Sequence, residues 1–374
     1  MTHPTVLGII SFKAFPAQMG GQKYVADYYT ELSKYTKVVL AVSRDNEVDR
    51  FAPFTIYPFL YNNWMAFLNL LYVFKLCNII RREKIDIILI DHSYFGWLGF
   101  LLRLFTKKKL AIKSANIEAL RFKDMRRIGW HLYFKYEGWV HKIANINFFI
   151  TDEEREFAIS KWNLVPAVCK TLHYGSSTLS PASKEENNRC RELLISENNL
   201  SSNTVLFLFN GTLNYLPNAD ALYIIMQELL KRLENSIIPF KIFICGNQIS
   251  EEWEKAIKLK EQIIFKGFVH DINQYYKGVD CFICPITLGT GIKTKLVEAI
   301  AHGKKVIACK KSGEGFNEEE LGDQLQLIEN YNWNAFADAM KNINPFHSNY
   351  LPPATFYSKT NWTNIVMESI LSLQ

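Results

Sequence analysis

The segment from Pro285 to Gly303 holds the residue types best suited to chemistry. An apolar run ends at Cys284, a Gly289-Thr290-Gly291 turn follows, and then come Lys293, Lys295 and Glu298 at helical spacing. Glycines at a strand-to-helix turn let the backbone approach a ligand closely. The first turn of the following helix has N–H groups without intrahelical partners, backed by the positive end of the helix dipole. Such a terminus accepts an anion, and Lys293 and Lys295 add positive charge. Lys295 and Glu298 are three residues apart, hence on one helix face. That pair suits a nucleoside diphosphate, with the lysine on phosphate and the glutamate accepting hydrogen bonds from ribose hydroxyls. An ordinary turn followed by a surface ion pair fits the same spacing, and the spacing leaves both readings open.

The elements around this segment alternate. Val205 to Phe209 reads as a buried strand, and Pro217-Asn218 opens a helix with an apolar face of Leu222, Ile225, Met226, Leu229 and Leu233. Strands are predicted at 241–245, 263–265, 280–284 and 305–309, and helices at 251–259, 272–277 and 293–301. The first half repeats this rhythm, with strands at 6–11, 38–42, 85–90, 110–113, 147–150 and 168–172. Its helices are predicted at 23–34, 66–82, 97–105, 130–142 and 152–161, the last capped by Thr151, and Asp271 is expected to cap the helix after it. Alternation with short joints implies parallel sheets covered on both faces. The polar stretch 176–188 marks a domain boundary. The expected division is a first domain at 1–180, a second at 181–345, and a helical tail at 346–374 packing back toward the first.

Composition narrows the class. A chain of 374 residues suits two cores, and 48% apolar with 21% charged residues is globular. The net charge of +6 fits an anionic ligand or an acidic membrane surface, and no nucleic-acid-binding signature appears. Met1 to Pro4 lead straight into an apolar run without a basic leader, so the expected location is the cytoplasm and the seven cysteines are expected to be reduced. Cys281 and Cys284 form a C-x-x-C, but in a strand they point to opposite faces and cannot share a metal. Two apolar stretches, 64–80 and 97–105, are interrupted or too short to span a bilayer. They read first as buried crossover helices and second as a peripheral membrane face, with Lys107, Lys108 and Lys109 meeting anionic headgroups.

The motif G-x-G-x-K-x-K-x-x-E-A at 289–299 is similar to the signature of glycosyltransferase family 4. Gly267-Phe268-Val269 with Asp271, the Asn210-Gly211-Thr212 turn with Pro217-Asn218, Gly20-Gly21, and Asn116-Ile117-Glu118 follow in the family's order. The resemblance implies a GT-B fold: two Rossmann-like, doubly wound parallel-sheet domains facing a central cleft, with hinge closure near Tyr174-Gly175. It implies a nucleotide-sugar donor on the C-terminal lobe, a glycan or lipid-linked acceptor on the N-terminal lobe, and retention of configuration. By position, Lys295 and the amides near Gly291 would hold diphosphate, with Gly289, Thr290 and Lys293 beside them and Gly211-Thr212 below. Glu298 would hold ribose, and Val269-His270 would line the base pocket. Gly20 and Gly21 would reach the phosphates from across the cleft. His92, beside Asp91 at a strand end, joins Asn116 and Glu118 as acceptor-side candidates, Glu118 reading equally as a helix cap.

Three positions depart from the family. Thr290 stands where a first glutamate is common, Thr212 and Asn218 where Arg and Lys are common, and Ala115 where a His is common. A protein that binds a sugar nucleotide without catalysis is the alternative. With no Asp-x-Asp pair, neither a metal nor another cofactor is expected, and no G-x-G-x-x-G follows the first strand to hold a dinucleotide.

Overall fold

The computed structural model of the chain describes residues 3–17, 19–47, 52–234, 237–345 and 350–374. The first residues of the expected tail, 346–349, lie outside the described set. Two compact units emerge: residues 1–175 with 290–292 and 359–374, and residues 176–289 with 293–358.

The first unit is built on seven strands: β1 (Val6–Ile10), β2 (Val38–Ser43), β3 (Thr55–Leu60), β4 (Ile87–Asp91), β5 (Lys109–Ser114), β6 (Ile146–Phe149) and β7 (Cys169–Thr171). Their order is β3-β2-β1-β4-β5-β6-β7, and every pairing is parallel. β1, β2 and β4 are buried throughout, as expected of parallel strands covered on both faces. β3 has no counterpart among the predicted strands. It is an edge strand, exposed at its start and carrying Pro58, so its sequence lacks a continuous apolar run. The helix Trp362–Leu373, last in sequence, belongs to this unit and packs on the helix Gly20–Leu32, where Tyr28 Oη and Ser369 Oγ are 2.6 Å apart.

The second unit holds β8 (Val205–Asn210), β9 (Phe240–Cys245), β10 (Ile263–Gly267), β11 (Cys281–Cys284), β12 (Lys305–Cys309) and β13 (Leu325–Ile328). The order β10-β9-β8-β11-β12-β13 is again all parallel. Leu222, Ile225, Met226, Leu229 and Leu233 are all buried, although the helix widens to a π-helical turn over Ile225–Leu229. Thr151 caps the helix Asp152–Trp162 and Asp271 caps Ile272–Gly278, each through its side-chain oxygen.

The polar stretch 176–188 runs into a helix without a counterpart among the predicted ones, Lys184–Glu197, capped by Ser183. That helix buries only Asn187 and Leu194, too little apolar face for periodicity to register. The stretch 64–80 is a crossover between β3 and β4, as expected, but only one of its faces is buried. It forms a 3₁₀ segment (Trp64–Tyr72) and an α-helix (Val73–Arg82) of which only 33% is buried. By length and composition this is the one helical stretch among the described residues able to cross a membrane. Yet Val73, Leu76, Cys77, Ile79 and Ile80 pack one of its faces into the core of the first unit, so it lies along the domain. All seven cysteines are free thiols, and Cys281 and Cys284 are fully buried in β11.

Candidate active site

In a doubly wound sheet, ligands gather beyond the carboxyl ends of the strands where the winding reverses. In the second unit that point lies between β8 and β11, because the chain winds from β8 toward β9 and β10, and from β11 toward β12 and β13. The turn Asn210-Gly211-Thr212 leaves β8 there, and the loop 285–293 leaves β11. Most residues of the predicted donor site fall on these two connections.

Lys295 stands at the centre. It lies on the first turn of the helix Thr294–Ala301 and reaches back to the end of β8. Its ammonium donates to the Asn210 carbonyl at 2.5 Å and to Asn218 Oδ1 at 2.7 Å, and it lies 4.8 Å from the Phe209 ring centroid. Burial is the main cause that brings its pKa down to about 8, with Lys293 adding a smaller push in the same direction. Two of its three donors are used inside the protein, which leaves one for a ligand oxygen. Gly211 makes this arrangement possible. Its φ is +152°, and a Cβ there would come within 2.7 Å of both Lys295 Nζ and Asn218 Nδ2. Asn218 in turn donates through Nδ2 to the Thr212 carbonyl at 2.9 Å, which fixes the turn.

The start of the 294–301 helix is unusual. Its N-cap is Lys293, in extended conformation, and no side chain caps the helix. N-caps are ordinarily Ser, Thr, Asp or Asn, whose oxygens accept from the free N–H groups. Here a cation takes that position, with Nζ 3.4 Å from the Gly289 carbonyl it donates to. Gly289 and Gly291 both have positive φ, 80° and 78°, so the loop needs glycine for its backbone path. Glu298, one turn on, accepts a hydrogen bond from Ser176 Oγ at 3.1 Å. Buried Tyr276 ties the helix to β8, accepting from Asn210 Nδ2 at 3.2 Å and donating to the Lys295 carbonyl at 3.3 Å. Its ring stacks on His302, whose pKa falls to about 4 through burial, so that imidazole is neutral.

Val269 and His270 sit at the carboxyl end of β10, the edge strand of the same sheet, with His270 exposed and edge-on to Phe268. Ser176, Tyr276 and Phe209 were not foreseen as site residues. No local motif marks them, since tertiary packing brings them to the helix. Among the described residues, no group of three or more His, Cys, Asp or Glu side chains is placed to hold a metal.

In the first unit the winding reverses between β1 and β4. Gly20 and Gly21 begin the helix after β1, where Gln22 Oε1 accepts from the Met19 N–H at 3.1 Å. His92 follows β4 with φ 61° and ψ 166°, and its Nδ1 lies 3.3 Å from Glu118 Oε1. Burial lowers the His92 pKa. Glu118 is itself buried and paired with Arg121 and Tyr94. It begins the helix Glu118–Asp124 but does not cap it; Glu137 does, accepting from the N–H groups of Glu118 and Ala119 at 3.1 and 2.9 Å. Burial pushes the Glu137 carboxyl up to about 8. Asn116 lies just before this helix with its Oδ1 buried. Asp91, next to His92 in sequence, is a core residue. It pairs with buried Lys113 at 2.6 Å and accepts from Tyr29 Oη at 2.6 Å.

Residues 204–344 match the family model described as glycosyl transferases group 1. The chain is 22% identical over 264 residues to the Escherichia coli UDP-Gal:alpha-D-GlcNAc-diphosphoundecaprenol alpha-1,3-galactosyltransferase. That match covers 68% of this chain and 66% of the enzyme, just under two thirds of its length. Among solved structures, sucrose-phosphate synthase from Thermosynechococcus elongatus aligns over 98% of this chain and 97% of its own, with TM-score 0.75 and 15% identity. HepE from Anabaena in complex with UDP-glucose aligns over 99% and 100%, with TM-score 0.69 and 15% identity. The fold is GT-B. The two doubly wound sheets are the two domains of that fold.

Proposed function

We propose that this GT-B chain is a glycosyltransferase. It moves a hexose-type sugar from a nucleoside-diphosphate sugar to a glycan or lipid-linked acceptor, with retention of configuration, in polysaccharide or glycoconjugate synthesis. The observation that carries this reading is the partly buried Lys295 ammonium, held at the β8–β11 reversal beside a helix start that no side chain caps.

Breaking the bond from sugar to phosphate builds positive charge on the anomeric carbon and negative charge on the departing diphosphate. Lys295 and the amides of residues 291–295 supply a fixed positive field for that leaving group. The field is strong because the ammonium is already largely desolvated. Glu298 accepts from the ribose hydroxyls, and Ser176 holds its carboxylate in place. In a retaining route the departing phosphate oxygen takes the acceptor's proton, so the chain needs no base of its own. Thr290, in place of a second carboxylate, then costs sugar contacts but not the reaction.

Uridine diphosphate sugars are the first donors to test, since the Escherichia coli relative is named for UDP-Gal and the Anabaena structure holds UDP-glucose. A sugar on a polyprenyl diphosphate is the first acceptor, by the same relative's name. Calorimetry with UDP, GDP, ADP, CMP and dTDP tests the donor site directly. One nucleotide should bind, and Lys295→Ala and Glu298→Ala should each abolish binding while the melting temperature stays within a few degrees. Equal affinity in both variants would remove the basis of the proposal.

A further inference from the structure

One face of the first unit is apolar, aromatic and uncovered. Trp64, Phe67, Leu71 and Phe74 are 63 to 81% exposed, although they lie on the same helical stretch that packs Leu76 and Ile80 into the core. Phe74 meets Phe105 of the helix Gly96–Thr106 at 5.9 Å between ring centroids. Phe100 of that helix meets Trp139 of the helix Trp130–Ile143 at 5.6 Å. Phe105, Phe100 and Trp139 are exposed in their turn, so three helices join in one continuous patch. A contiguous patch of this kind marks an interaction surface, whereas single exposed apolar residues do not.

Its charge is equally one-sided. Segments 61–82, 95–109 and 126–143 carry eleven Lys or Arg and one Asp or Glu, whereas the whole chain has 43 and 37. Within these segments the single carboxylate is Glu137, buried beneath the 118–124 helix; just beyond them Glu83 pairs with Arg82 and Asp86 with Lys108, which leaves nine cations to carry the excess. Beside Phe105 a hollow of about 400 Å³ is lined by Arg81, Lys84 and Lys108, with Asp86 at 3.9 Å from Lys108. The surplus of cations there suits a phosphate headgroup.

We propose that this face docks on the surface of an anionic phospholipid bilayer, with the aromatics entering the interface and the flanking lysines and arginines meeting lipid phosphates. Charge decides among the occupants. A second copy would set two faces of net positive charge against each other, which repel, whereas a leaflet of anionic lipid attracts the surplus of cations. Aromatic rings interleaved with Lys and Arg on helices lying along the surface are the pattern of an interfacial element. The inference does not depend on the donor site, but it would bring a lipid-linked acceptor and the enzyme onto one surface.

The test is flotation of the full chain with vesicles of phosphatidylcholine alone, and of phosphatidylcholine with about 30% phosphatidylglycerol. Binding to the anionic vesicles should be at least tenfold stronger and should weaken in about 0.5 M salt, where screening is short-ranged. Phe74→Ser with Phe105→Ser, and separately Lys75→Glu with Lys107→Glu, should each reduce binding at least tenfold. UDP affinity by calorimetry and the melting temperature should be unchanged in both. Both lysines are exposed, but Lys75 lies 4.1 Å from the Phe59 ring centroid, so Lys107→Glu alone, which breaks no such contact, keeps the test valid if either pair unfolds. Equal binding to neutral and anionic vesicles, no binding to either, or double variants that float like the wild type would overturn the proposal. So would self-association in sedimentation velocity that the same variants abolish. Vesicle binding without nucleotide binding would leave this inference standing and remove only the proposed activity.

Discussion

If Lys295 holds the diphosphate, donor binding must follow its protonation. With its pKa brought down to about 8 by burial, the ammonium is mostly charged at pH 7 and mostly neutral at pH 9. A bound diphosphate favours the charged form and raises the pKa again. The neutral amine contributes little, so UDP affinity should fall about tenfold between pH 7 and pH 9. Binding at pH 8 should take up roughly half a proton, because half of the free sites must be protonated first. The ligand does not confuse the reading, since the last pKa of a phosphate lies near 6. Of the neighbours, burial raises the Tyr276 hydroxyl well above its ordinary 10 and pushes the Cys284 thiol upward from its ordinary 9, away from pH 8. Calorimetry in two buffers of different ionisation enthalpy measures the uptake. Lys295→Met is the control, and it should bind weakly with no uptake in this range. Affinity that stays flat to pH 9.5 with no proton uptake in the wild type would refute the role given to Lys295.

Gly211→Ala should push the Lys295 ammonium and Asn218 aside and cost roughly 1–3 kcal/mol of stability, read by urea denaturation, with UDP affinity lost in the same variant. Asp91→Asn leaves the buried Lys113 ammonium without its counter-charge and should destabilise the first unit by about 3–5 kcal/mol; adding Lys113→Met should recover most of that. Glu137 has a folded pKa of about 8, above its ordinary 4.5, so the folded state binds more protons between these values. Stability should therefore fall as pH rises from about 4.5 to 8, and Glu137→Gln should flatten that slope in thermal denaturation. His92→Gly relieves about 1–3 kcal/mol of backbone cost but loses the ring's packing on Phe12 and Tyr94, so thermal stability should change little while sugar transfer falls and UDP affinity holds.

Much of this was legible in the sequence, for physical reasons. Parallel strands buried on both faces are unbroken apolar runs, so β8, β9, β11 and β12 stand out from composition alone. The glycines at 289 and 291 and the Lys295–Glu298 spacing locate the helix start, because few other needs put those residue types together. Of the four edge strands, β7 and β10 are legible and β3 and β13 are not: β3 begins exposed and carries Pro58, and β13 is only four residues with Gln326 inside. The helix 184–197 was lost in a polar stretch because it buries only two residues. Within the site, sequence spacing cannot show that Lys295 reaches back across the sheet to Asn210, a residue 85 positions away. Nor can it show that Asp91 is committed to Lys113, for a charged residue at a strand end looks the same whether it faces a ligand or a buried partner.

The two sheets make opposite uses of an unusual backbone at their reversal points. After β8, glycine takes the positive φ, and the space it leaves is filled by the Lys295 ammonium. After β4, a histidine is held at φ 61° and ψ 166°, a region where a side chain costs about 1–3 kcal/mol. If only the course of the chain mattered there, glycine would serve at no such cost. We propose that the imidazole is what the position is for, a reading its surroundings support. Its backbone N–H is anchored to the Lys113 carbonyl at 2.8 Å, its Nδ1 faces the buried Glu118, and burial keeps the ring neutral, able to donate from one nitrogen and accept at the other. Ala115, after β5, brings no polar side chain to this end of the sheet, and His92, after β4, brings an imidazole. That makes His92, rather than Asn116 or the committed Glu118, the first-unit residue best suited to touch a sugar hydroxyl.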